Sequence, residues 1–321
     1  MTRRLAVVMD PVDHIKAYKD TTVALLREAA SRGYSIDFLE ARDLALAANR
    51  PVARVRSMTV RDSDEDWCEL GDARDMALED ADVILMRKDP PFNMDYIYAT
   101  YLLEHAQAAG ALVINDPASL RNANEKLFAT WFPDCTPPTL VTTRKEALHA
   151  FLREHGDIVV KPLDGMGGSS VFRVTRHDPN INVIFETMTG NEQRPTMAQR
   201  YLPEIAQGDK RILMIDGEPV PFALARVPAP GETRGNLAAG GTGVGRPLSA
   251  SDRRICERVG PALRARGLTF VGLDVIGESL TEINVTSPTG LRELDRLFHL
   301  NIAADLFDVL ERKMTKGART P

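Results

Sequence analysis

The chain has few cysteines, no surplus of positive charge and no long apolar run, and each absence removes a class of function. Three cysteines occur in 321 residues, Cys68, Cys135 and Cys256. They lie far apart and form no C-x-x-C pair, which argues against both a disulfide framework and a zinc site and leaves them as reduced thiols. The six histidines include no H-E-x-x-H or other ligand spacing, so histidine metal chemistry is not expected. The formal charge of -5, with arginines dispersed, argues against a nucleic-acid partner. No stretch approaches the ~20 apolar residues that cross a bilayer. The short run Leu5 to Met9 reads as a first strand, so a cytoplasmic chain with no membrane partner is expected. The turn after that strand, Asp10-Pro11-Val12-Asp13-His14, lacks G-x-G-x-x-G, and a Rossmann oxidoreductase is disfavoured. No fixed-period repeat marks a solenoid.

What is present describes a well-cored globular chain, with 44% hydrophobic and 26% charged residues. At this length one core is not enough, and two or three packed units are expected. Residues 1–122 alternate strand and helix patterns, which predicts an open, mainly parallel α/β unit. Asp20 can cap a helix that Gly33 stops, and another helix runs from Asp95 to Ala109. The region 41–80 is polar and weakly patterned. From about residue 126 hairpins and helices alternate, which predicts α+β architecture. There Thr143-x-x-Glu146 reads as a capping box, Ser251 opens a helix, and Phe270 to Ile276 with Leu280 to Asn284 form a hairpin. The expected division is 1–122, 123–203 and 204–321.

Four segments carry chemistry. Asp164-Gly165-Met166-Gly167-Gly168-Ser169-Ser170 follows a strand ending in Lys161-Pro162. Glycines let backbone N–H groups approach phosphate oxygens, and the lysine adds charge. The same loop reads equally as a plain hairpin turn, since no Walker A is present. Glu282 and Asn284 stand two apart on a strand, so both project from one face, and the hairpin can bring Asp274 beside them. Three oxygen donors without sulfur or imidazole match Mg2+, although a polar outer face would look the same. The stretch 226–246 holds six glycines among Arg226, Arg234 and Asn236. It reads as a lid that excludes water and carries positive charge, or as a solvated loop. Arg87-Lys88-Asp89-Pro90-Pro91 ends a strand where α/β sheets place ligands, and Arg87 could clamp a carboxylate or merely sit in a turn.

These segments together resemble the bacterial glutathione synthetases of the ATP-grasp superfamily over nearly the whole chain. The likeness rests on Val8-Met9-Asp10-Pro11, Leu85 to Phe92, Asn124-Glu125-Lys126-Leu127-Phe128, Lys161 to Gly168, Gly231 to Gly241 and Thr281 to Thr289. It implies an ATP-grasp fold behind the amino-terminal α/β unit, with ATP and Mg2+ as cofactors, Mn2+ as a substitute for the metal, and γ-glutamylcysteine and glycine as substrates. Carried over by motif, Lys126 and Lys161 would neutralise ATP phosphates under the loop of Asp164, Gly165, Gly167, Gly168 and Ser169. Gln199, Tyr201 and Leu202 would meet adenine, and Asp209 the ribose. Arg211, Arg226, Arg234 and Asn236 would surround the transferring phosphate, and Asp274, Glu282 and Asn284 would hold the metal. Arg87 would contact γ-glutamylcysteine, while Ser287 and Thr289 would line the acceptor side. Gly290 stands where the family commonly has Cys. Tetramers are typical of the family, so a homo-oligomer is expected by analogy.

The implied reaction is ATP-dependent ligation of glycine through an acyl phosphate, giving glutathione, ADP and phosphate. It needs no protein nucleophile, which fits the lack of any serine, histidine or cysteine constellation. Two other readings of the same motifs are another ATP-grasp carboxylate–amine ligase and a non-catalytic ATP-binding regulatory protein.

Overall fold

The computed structural model describes residues 2–165, 168–229, 235 and 240–317. The first unit contains β1 (Arg4–Val8), α1 (Thr21–Ser31), β2 (Ser35–Leu39), β3 (Leu44–Ala47), β4 (Arg50–Val60), β5 (Cys68–Ala77), β6 (Val83–Met86), α2 (Met94–Ala108) and β7 (Leu112–Ile114). Asp20 caps α1 by accepting the Val23 amide at 2.9 Å, and Gly33 leaves the helix at φ +77°. The strands β2, β1, β6 and β7 are parallel and nearly fully buried, as strands covered on both faces must be. The sheet also continues beyond β2 into an antiparallel extension, in which β4 pairs with β2, β3 and β5. The region 41–80, weakly patterned in sequence, is therefore mostly strand.

The second unit follows α3 (Pro117–Asn122) and holds β8 (Thr139–Thr142), α4 (Lys145–His155), β9 (Asp157–Pro162), β10 (Phe172–Thr175), α5 (Ile181–Thr189) and β11 (Thr196–Arg200). Its four strands form an antiparallel sheet in the order β10-β9-β11-β8. Leu148, Leu152, Phe185 and Met188 pack on Ile158, Val160 and Val174 in a core separate from the rest of the chain. The expected Thr143/Glu146 capping box does not form. Arg144 is the N-cap and supplies no side-chain bond, while the Lys145 amide donates to Glu192 at 2.8 Å instead.

The third unit comprises β12 (Asp209–Ile215), β13 (Glu218–Val227), β14 (Thr242–Pro247), α6 (Ala250–Ala265), β15 (Phe270–Ile276), β16 (Ser279–Asn284), α7 (Leu291–Phe298) and α8 (Ile302–Gly317). Its antiparallel order is β14-β13-β12-β15-β16. Ser249, not Ser251, caps α6, in a box with Asp252. The stretch 226–246 is not irregular throughout, because β14 pairs with β13 in a ladder that sets Arg226 opposite Gly243. The connection between these strands is shorter than the sequence implies, and Arg234 and Asn236 lie outside the described residues.

The first and third units share apolar cores. One cluster runs from Val8 and Leu39 through Phe128 to Ile283 and Val285. Asn115 fastens the joint, since its amide donates to the Phe270 carbonyl at 2.8 Å and the Val285 carbonyl at 2.7 Å, and its oxygen accepts the Phe270 amide. These bonds fix the third sheet, and with it the residues described next, against the first unit.

Candidate active site

The antiparallel register of the third sheet builds a charged row on one face. Arg211 lies opposite Asp274, which lies opposite Glu282, across β12, β15 and β16. Two residues along, and so on the same face, Asp209 faces Arg226 of β13. Arg211 grips Asp274 with two nitrogens, at 2.5 Å and 3.0 Å. Arg226 reaches Asp274 at 2.9 Å and Asp209 at 2.5 Å, joining the two carboxylates. Gly272 permits the approach, because a Cβ there would fall 2.7 Å from Arg211 Cδ. Asn284 continues the face from Glu282 and donates its amide to the Gly272 carbonyl at 3.3 Å, leaving its oxygen as a donor atom for a cation.

Two lysines from the other side meet this row. Lys161 extends from the end of β9, and its Nζ lies 3.2 Å from Glu282 Oε1. Lys126 lies 3.6 Å from the same oxygen and donates to the Gly165 carbonyl at 2.6 Å. Gly165 must lack a side chain, since a Cβ would come within 2.6 Å of Pro162 Cγ.

Burial works against every charge in this group, and the partners decide the outcome. Asp274 resists burial because Arg211 and Arg226 hold it well below the usual carboxylate range. Burial also opposes the charge of Glu282, but Lys161 and Lys126 outweigh it and keep the group ionised. For Asp209 burial wins over Arg226, and with Asp274 and Glu282 nearby its carboxyl is pushed up to about 6. Its Oδ1 is buried with no hydrogen-bond partner among the described residues. Glu125 is raised by burial and by the Glu282 charge, and its Oε1 accepts from Val285 N, Thr286 N and Thr286 Oγ1. Four cations thus face four carboxylic groups, so the site alone carries little net charge.

The row forms the floor of a cleft of about 550 Å3, within the range of ligand sites. Of the residues expected from sequence, Lys126, Lys161, Gly165, Gly168 and Ser169 line it on one side. Asp209, Arg211, Arg226, Asp274, Glu282 and Asn284 form its floor, with Ser287 and Thr289 at one end. Gln199, Tyr201 and Leu202 line it as well, as do the apolar Val159, Val171, Ile205 and Ile276. Asp164 lines a neighbouring cavity of about 30 Å3. Gly167, Arg234 and Asn236 lie outside the described residues.

Arg87 departs from expectation. It is 7% exposed and is not among the residues lining the cleft. Its Nε donates to Thr22 and its Nη2 to the Pro288 carbonyl, both at 3.1 Å, so the guanidinium supports the turn after β16 from behind. Sequence reasoning did not single out Glu125, Glu293 or Arg173. Glu125 adjoins Lys126 in a stretch already carrying the resemblance, and that adjacency was the available signal. Arg173 stacks over Tyr201 at 3.8 Å while paired with Asp157 at 2.7 Å. No spacing in the sequence foretells that contact.

Among the described residues no three histidine, cysteine, aspartate or glutamate side chains cluster as a metal site. The oxygen set is two carboxylates and one amide, Asp274, Glu282 and Asn284. Hard oxygens, two of them on carboxylates kept ionised by neighbouring cations, suit Mg2+ that completes its shell with phosphate and water.

Comparison with known proteins agrees with this geometry. The model of the prokaryotic glutathione synthetase N-terminal domain matches residues 4–121, and that of the prokaryotic glutathione synthetase ATP-grasp domain matches residues 125–299. A glutathione synthetase of Pseudomonas syringae pv. tomato is 56% identical over 314 residues, covering 98% of both chains. One of Salmonella typhimurium is 55% identical over 313 residues, covering 98% of this chain and 99% of the other. Among solved structures, the ATP-grasp ligase PsnB complexed with minimal precursor, Mg and ADP superposes with a TM-score of 0.61 at 17% identity. That match covers 97% of this chain and 98% of the other, and shows the shared fold. With both halves matched and more than half of the positions identical along nearly the full length, the chain belongs to the prokaryotic glutathione synthetases, ADP-forming ligases of the ATP-grasp fold.

Proposed function

We propose that the cleft binds ATP across the second and third units and joins glycine to the cysteinyl carboxylate of γ-glutamylcysteine. The observation that carries this reading is the convergence of Lys126 and Lys161 on Glu282, in the same row as Arg211, Arg226 and Asp274. Adenine would lie against the apolar residues Val159, Val171, Ile205 and Ile276, with the Leu202 amide, which has no backbone partner among the described residues, free to meet it. The orphaned Oδ1 of Asp209 can accept a ribose hydroxyl. The lysines, held by Glu282 in this structure, would turn to the phosphates.

A carboxylate is a poor electrophile, so it first takes the γ-phosphoryl group as an acyl phosphate, and glycine's amine then displaces phosphate. Arg211 and Arg226, planar donors already fixed by Asp274 and Asp209, stabilise charge that develops on the transferring group. The site balances its own charges, so an incoming triphosphate requires additional cations. Asp274, Glu282 and Asn284 would hold Mg2+, which neutralises and orients phosphate oxygens. By family likeness the loop from Asp164 to Ser169 would close over the phosphates and exclude water that would hydrolyse the acyl phosphate. On the same basis Arg234 and Asn236 would complete the phosphate surroundings, and the chain would divide into units 1–122, 123–203 and 204–321. The same likeness extends the proposal to Mn2+ in place of Mg2+, a homotetramer and a cytoplasmic location.

A coupled ADP-release assay across donor and acceptor amino acids tests the reading. Release should require γ-glutamylcysteine and glycine together. Equal turnover with D-alanine alone would favour another carboxylate–amine ligase, and no turnover with any amino acid would favour a non-catalytic ATP-binding protein.

A further inference from the structure

We propose that the γ-glutamyl end of the donor is recognised by Glu293, which takes its α-ammonium, and by Lys16 and Lys19, which take its α-carboxylate. The inference rests on the ligase reading above and deepens it. Beyond the phosphate-facing residues the cleft is also lined by the segment between β1 and α1, by the turn 287–290 and by Glu293 of α7, and of these only Ser287 and Thr289 have a role so far, on the acceptor side. The Oε2 of Glu293 is buried without a hydrogen-bond partner among the described residues. A buried acceptor left unmet is costly, so the position calls for a donor that the described residues do not supply. Lys16 and Lys19 line the same cleft, are exposed and form no ion pair with a carboxylate among the described residues. Arg87 already donates from Nε to Thr22 and from Nη2 to the Pro288 carbonyl, and it does not line the cleft in this structure.

Asp20 and Asp89 also line the cleft but already accept from the Val23 amide and the Ser287 hydroxyl, whereas the unmet oxygen of Glu293 and the two lysines complement, in sign and kind, a carbon that bears both an ammonium and a carboxylate. An ammonium donates three hydrogen bonds and accepts none, which suits an orphaned carboxylate oxygen. Glycine is the wrong occupant of Glu293. Its amine must lose a proton to attack, and a carboxylate beside it would stabilise the protonated form. The donor's α-ammonium takes no part in bond making and keeps its charge throughout.

Steady-state kinetics of the full chain with three donors test this assignment. These are γ-glutamylcysteine, glutarylcysteine without the α-ammonium, and 4-aminobutyrylcysteine without the α-carboxylate. Glu293→Gln should lower kcat/KM for γ-glutamylcysteine by about 10- to 100-fold while the KM for ATP stays within about twofold. With glutarylcysteine the variant and the wild type should agree within about twofold. Lys16→Ala/Lys19→Ala should be about tenfold impaired on γ-glutamylcysteine and equal to wild type on 4-aminobutyrylcysteine. An equal loss on all three donors, or a rise in the KM for glycine instead, overturns the assignment. If Glu293→Gln does not fold, the lysine variant decides by the same comparison. A wild-type chain that turns over no γ-glutamylcysteine overturns the ligase reading and this inference together, whereas turnover without donor discrimination overturns the inference alone.

Discussion

Replacing Lys161 with methionine separates a role in nucleotide binding from a role in holding the fold. The lysine stands 3.2 Å from Glu282 Oε1, and Lys126 stands 3.6 Å from the same atom. Methionine keeps most of the buried stem, so packing is little changed. After the change Glu282 still has Lys126, and its side chain is 24% exposed towards the cleft, so solvent shares its charge. The stability loss should therefore be small, about 1 kcal/mol, lowering the melting temperature by roughly 2–4 °C. The nucleotide loses a direct charge-assisted contact, about 1.5–3 kcal/mol, which corresponds to a 10- to 100-fold rise in the KM for ATP. ADP release measured against ATP concentration, beside a thermal melt of the same preparation, gives both numbers. A variant that melts much earlier yet binds ATP normally would refute the reasoning, because Lys161 would then be a structural counter-ion of Glu282.

Arg226→Lys should lower kcat by about 100-fold with a smaller effect on the KM for ATP, since a point charge cannot join Asp209 and Asp274 as the planar group does; single-turnover kinetics check this. Asn115→Ala removes bonds to two buried carbonyls and one amide and should destabilise the chain by about 3 kcal/mol, read by denaturant unfolding. Asp209 holds its proton up to about pH 6, above the ordinary 3.8 of the unfolded chain, so its contribution to stability falls as pH rises between those values. Melting curves of Asp209→Asn should lack that component, so the variant gains on the wild type as pH rises through the window. Chelation of divalent cations should abolish ADP release, and added Mg2+ should restore it.

Much of the site was legible because its residues lie on regular strands. The two-residue spacing of Glu282 and Asn284 fixes their common face, and a short hairpin returns Asp274 beside them. The glycines around Lys161 likewise announced a close backbone approach. Other features depend on contacts that no local pattern encodes. In β4 the buried positions Pro51, Ala53 and Val55 alternate with more exposed ones, but one of these is the apolar Val52, which weakens the signal, and an irregularity between Arg56 and Met58 breaks the period. The sequence shows Arg87 at the end of a strand, but its direction depends on Thr22 and Pro288, far away in sequence. The Thr143/Glu146 box was displaced because Glu192, from a turn beyond α5, meets the helix start first. Asn115 and Glu293 are single polar residues whose meaning appears once distant elements enclose them.

The most direct test of the central claim is a crystal structure with a non-hydrolysable ATP analogue and Mg2+. The account predicts one nucleotide whose phosphates touch Lys126 and Lys161 while the metal binds Glu282 and Asn284. A nucleotide bound away from either pair would contradict it.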